Sequence, residues 1–162
     1  VPLRYIYIVK NIMVWSLLLL SASGVFAQSN EIIDEVLLQQ ELSCGHGAYL
    51  VLSASAQEED AASVEDAWQT LLASPWASGL AADKEAGDPM SLGEFAYLVM
   101  QAYEIPGGLM YRIFPSPRYA SRELGFKGII ARDAGAYRNL SGQEALAILS
   151  TTARMQSEGR LQ

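Results

Sequence analysis

A ten-residue segment of this chain occurs twice, and a weaker third copy follows. Ser43-Cys44-Gly45-His46-Gly47-Ala48-Tyr49-Leu50-Val51-Leu52 aligns without gaps on Ser91-Leu92-Gly93-Glu94-Phe95-Ala96-Tyr97-Leu98-Val99-Met100, six of ten positions being identical at a spacing of 48. Another 50 residues on stands Ser141-Gly142-Gln143-Glu144, and upstream of it Phe126 to Asp133 overlays Trp76 to Asp83, matching Ala131 with Ala81 and Asp133 with Asp83. A period of 48 to 50 residues means that one supersecondary unit is laid down about three times. A single unit cannot bury its own apolar face, so neighbouring copies must close it.

Each copy opens on a helix start. A Ser at the N-cap accepts from the free amides of the first turn, and a Glu three residues later returns a bond to the cap. Ser91 with Glu94 and Ser141 with Glu144 read as such capping boxes, with His46 at the Glu position of the first copy. Phe95, Leu98, Val99 and Ala102 follow at helical spacing. Further helices are expected from Glu31 to about Gln40, from Val64 to Ala73 behind a Ser63 cap, and from about Arg118 to Leu124 after Pro117. Pro106-Gly107-Gly108 should stop the helix begun at Ser91, while 57–62, 82–89 and 132–139 read as polar loops. Tyr111 to Phe114 is the one short strand candidate. The expected fold is a compact all-α domain of repeated helix-loop-helix units, about three pseudo-repeats.

The 162 residues suit one globular unit, and one Cys with one His cannot supply a disulfide scaffold or the four ligands of a structural zinc. No cofactor and no metal site are expected. Arg4 and Lys10 precede an uncharged stretch, 11–30, with an apolar centre at 12–20 and Val25-Phe26-Ala27 at its close. This is the pattern of a signal peptide, residues 1–27, followed by a single domain over 28–162 with no membrane span after cleavage. Cys44 lies past the cleavage point, which argues against a lipoprotein. The expected location is exported, periplasmic or associated with the cell envelope.

With these elements placed, the pattern resembles the S-layer homology domain. Tyr119-Ala120, Leu124 and Gly128-Ile129-Ile130-Ala131 look like the first helix and turn of that repeat, and Met90-Ser91-Leu92-Gly93-Glu94-Phe95 looks like its capped second helix, the likeness running from about Ser43 to Thr152. The resemblance implies a helical scaffold and an envelope setting. In that family the Arg of the Thr-Arg-Ala-Glu box is associated with anionic wall polymers; here its positions hold Cys44, Leu92 and Gly142, which cannot pair with an acid.

Candidate chemistry is sparse. Cys44 and His46 lie two residues apart on one helix and point to different faces, which argues against a shared proton. Asp83, Asp133, Glu94 and Glu144 could form a carboxylate pair in a small envelope hydrolase, but turn formation and capping explain them more simply. No phosphate loop, dinucleotide fingerprint or nucleophile elbow is present. The expectation is a protein that is not an enzyme.

Charge is distributed unevenly. Residues 28–111 carry fourteen acids and only Lys84, net −13, whereas 112–162 carry eight basic residues against four acids, net +4. Either the halves dock on each other, or the basic half, interleaved with aromatic residues, recognises an anionic glycan or an acidic partner. The candidate binding residues are Arg112, Arg118, Tyr119, Arg122 and Lys127. Export and overall acidity disfavour nucleic acid. The function expected is an envelope module that binds cell-wall polymer or scaffolds an assembly, with a periplasmic adaptor for an envelope protein as the alternative.

Overall fold

The serines predicted to cap helices do so for a local reason. In a computed structural model of the protein, which describes residues 31–55 and 63–161, the hydroxyls of Ser63, Ser91 and Ser141 accept from the amides three residues on, those of Asp66, Glu94 and Glu144. The signal-peptide reading of 1–27 and the acidic 57–62 loop lie outside the described residues. The helices run α1 (31–38), α2 (Cys44–Ser55), α3 (Val64–Ala73), a 3-10 turn (Pro75–Gly79), α4 (Leu92–Ala102), α5 (Leu109–Ile113), α6 (Pro117–Lys127) and α7 (Gly142–Ser157). The described chain is all-helical, and its two antiparallel bridges, Ser43 with Pro89 and Ser91 with Asn139, are isolated. The described residues from Val36 onward belong to one compact unit.

At the centre of this unit the backbone closes a ring. Leu42 N–H donates to the carbonyl of Leu140 (2.6 Å), Leu140 N–H to that of Met90 (3.2 Å), and Met90 N–H to that of Leu42 (2.7 Å). All three side chains are fully buried, and each residue immediately precedes Ser43, Ser91 or Ser141. Helix starts leave amides without intrahelical partners. Here the loop ahead of another helix supplies them: Cys44 and Gly45 donate to the carbonyls of Asp88 and Ala86, Leu92 and Gly93 to those of Arg138 and Ala136, and Gly142 to that of Gln39. Such close backbone approach requires glycine. A Cβ on Gly93 would stand 2.8 Å from the Ala136 carbonyl, and one on Gly142 would stand 1.8 Å from that of Val36.

Two loops share one conformation. Lys84 N–H bonds Ala81 and Asp88 N–H bonds Glu85, as Ala134 bonds Ala131 and Arg138 bonds Gly135 fifty residues later. α3 packs on α2 and α6 on α4. Tyr49, Tyr97 and Trp68 are buried, whereas Trp76 is only half-buried; Tyr97 lies over Gly79 and its hydroxyl meets that of Ser78 at 3.1 Å.

Three expectations need correction. The Tyr111–Phe114 strand is instead helix α5: with no neighbouring strand to satisfy its backbone, Arg112 and Phe114 donate back to Gly108 and Met110. α4 ends at Ala102, ahead of Pro106: the Glu104 N–H bonds the Gln101 carbonyl, and its φ of 49° turns the Ile105 N–H back to the carbonyl of Met100. Finally, Ser141 and Glu144 make only half a capping box, since the Glu144 carboxylate is held by Arg138.

Candidate functional site

The cap of α4 gathers Cys44, Lys84 and Glu94. The Glu94 carboxylate accepts from Ser91 N–H (2.8 Å), Ser91 hydroxyl (2.7 Å) and Lys84 ammonium (2.8 Å). Burial raises its pKa, but the hydrogen bonds from Lys84 and Ser91, together with the Lys84 charge, outweigh that and hold it below the ordinary carboxylate value. Lys84 also donates to the Pro89 carbonyl (2.6 Å). Burial pushes the Cys44 thiol up to about 11, against an opposing pull from Lys84. Such a thiol is neutral and a poor nucleophile at physiological pH. Glu144 is gripped by both terminal guanidinium nitrogens of Arg138, Nη1 and Nη2, while Asp83 and Asp133 are exposed on matching turns. His46 meets the Ser43 hydroxyl at 2.8 Å and the Gln39 amide at 3.1 Å through Nδ1. These side chains are engaged in capping and turn structure. No group of three metal-ligating side chains occurs among the described residues.

The ion pairs of the described residues form within each charged half: Lys84 with Glu94 in the acidic one, and Arg138 with Glu144 and both Arg154 and Arg160 with Glu158 in the basic one. The basic candidates divide accordingly. Lys127 is half-buried and donates to the Leu161 carbonyl (3.1 Å). Arg112, Arg118 and Arg122 are exposed and pair with no carboxylate among the described residues.

A recess of about 400 Å³ opens between α5 and α6, lined by Gly108, Leu109, Met110, Tyr119, Arg122, Glu123 and Phe126. It brings together Tyr119 and Arg122 of the five sequence candidates; Arg112, Arg118 and Lys127 are not part of its lining. Arg118, Arg122 and Phe126 nevertheless follow one face of α6 at four-residue intervals. Sequence reasoning marks Phe114 among the aromatic residues interleaved with the arginines and misses the rest of the apolar contribution. Leu109 (71%), Met110 (55%), Ile113 (55%), Phe114 (63%) and Phe126 (76%) are all largely exposed. Their signal was available as a run of large apolar residues just after Pro106-Gly107-Gly108 without counterpart elsewhere in the repeat.

No family model, curated protein or solved structure matches this chain.

Proposed function

We propose that this chain is an exported, non-enzymatic binding module of the cell envelope, built on a three-copy frame of S-layer-homology type. The ring through Leu42, Met90 and Leu140 supports the three-copy frame, since these residues recur at the sequence period and occupy like positions. The pattern of residues 1–27 supports export. A binding role is supported by the engagement of Glu94, Glu144 and Lys84 in structural bonds, which leaves the α5–α6 face as the richest exposed chemistry. The observation that carries the reading is the concentration there of three exposed arginines beside the recess and its apolar rim. Guanidinium groups pair bidentately with phosphate and carboxylate. The ligand class is therefore an anionic envelope component.

Co-sedimentation of the full chain with isolated envelopes across a salt series tests this role. Binding should weaken with salt and fall about tenfold or more when Arg112, Arg118 and Arg122 are all changed to Ala. Salt-insensitive binding that the triple variant retains would overturn the assignment of this face.

A further inference from the structure

The segment from Tyr103 to Ser116, which carries α5, lies apart from the central ring: it supplies no bond to that ring and no carbonyl to the starts of α2, α4 or α7. It is also where large apolar side chains stand in water. α5 buries Tyr111, which rests on Gly107 and accepts a bond from Gln101 (2.8 Å), and turns Leu109, Met110 and Ile113 outward, with Phe114 following. A concentrated exposed apolar patch of this kind marks an interaction surface.

The choice of partner follows from what each class would leave uncovered. A glycan or phosphate polymer would satisfy Arg112, Arg118 and Arg122 but leave the apolar side chains hydrated. A peptide seated in the recess would touch Leu109, Met110 and Phe126 but miss Ile113 and Phe114, which lie outside it. A bilayer surface accommodates both sets: apolar side chains enter the acyl boundary while arginine stems extend to headgroup phosphates. Tyr119 suits the same interfacial level. Glu123, half-buried in the recess, reduces the positive charge of the face without reversing it.

We infer that the α5–α6 face docks on an anionic lipid surface, Leu109, Met110, Ile113 and Phe114 entering the interface while Arg112, Arg118 and Arg122 engage headgroup phosphates. This names the partner class of the contact face proposed above and rests on that reading.

The test is site-specific. In the full chain carrying Phe114→Cys, a polarity-sensitive thiol dye attaches at position 114, because Cys44 is fully buried. The labelled protein is mixed with vesicles of equimolar phosphatidylglycerol and phosphatidylcholine, with pure phosphatidylcholine vesicles, and with lipid-free sacculi. The dye emission should shift to the blue on the anionic vesicles alone. Affinity for them should fall about tenfold or more with the three arginines changed to Ala, and the shift should vanish in Leu109→Ser/Ile113→Ser, whose thermal melt verifies the fold. A shift on sacculi but not on vesicles would overturn lipid docking and leave the face as a wall contact. No shift on any of the three would overturn lipid docking, and if envelope binding also fails to depend on the arginines, the contact-face reading falls with it. Vesicle flotation without a shift would place the contact elsewhere and equally overturn the inference.

Discussion

Glu94 holds the cap of α4 and the Lys84 ammonium with one carboxylate. Because its pKa is depressed on folding, it contributes stability that is complete above its unfolded value, near 4.5, and is lost as pH falls through the lower folded value. Urea titrations should show Glu94→Gln less stable than wild type by about 1–2 kcal/mol at neutral pH, the two curves converging in acid. Cys44 makes the opposite case. With its thiol raised to about 11, it should resist a disulfide thiol reagent in the folded protein at mildly alkaline pH and react promptly once denaturant is added. Rapid reaction without denaturant would contradict its burial. Of these features the Ser91–Glu94 pair was legible, because capping is chemistry between residues three apart. Lys84 as the partner of Glu94 was not, since the loop that carries it had first to be folded against α4.

At the level of elements, α4 ends on a left-handed residue that has a side chain. The same turn follows α6 and α7, where Gly128 (φ 78°) and Gly159 (φ 69°) occupy that position, while α4 has Glu104 (φ 49°). Glycine carries no Cβ penalty there, so Glu104→Gly should raise stability by about 1 kcal/mol in thermal or urea denaturation. Where a glycine admits a neighbouring backbone, the sign reverses. Gly142→Ala would drive a methyl into the Val36 carbonyl and should cost about 3 kcal/mol, whereas Gly87→Ala, with nothing within 4 Å, should change stability by less than about 0.5 kcal/mol in the same assay. Helices α3 and α4 were legible from caps and apolar spacing. α5 was misread because four residues with an aromatic at each end fit a strand as well as a helical turn, and only the lack of a pairing partner decides between them.

Across the whole molecule, the sequence period showed in Tyr49, Tyr97 and the three capping positions, yet the ring through Leu42, Met90 and Leu140 is made by backbone atoms of the residue before each cap. Leu42, Met90 and Leu140 share an apolar character that sequence comparison could have marked; their mutual hydrogen bonds depend on how the loops converge in space. Native-state hydrogen exchange should find these three amides protected to the same extent, exchanging only through unfolding of the whole 36–162 unit. Earlier exchange at one of them would show that its copy opens alone. The face proposed for contact was half legible, since its arginines were evident as charge but most of its apolar crest was hidden in a segment read as a stop and a strand.

A closed circuit also has no smaller version. Severed in the stretch between Glu104 and Gly108, the chain would give one piece carrying two corners of the circuit and another carrying the third, each exposing peptide groups that only the other can satisfy. Neither should hold native structure by itself, and mixing them should restore it, so that the domain would behave as a complementing pair whose reassembly reports on proximity between whatever the two pieces are fused to.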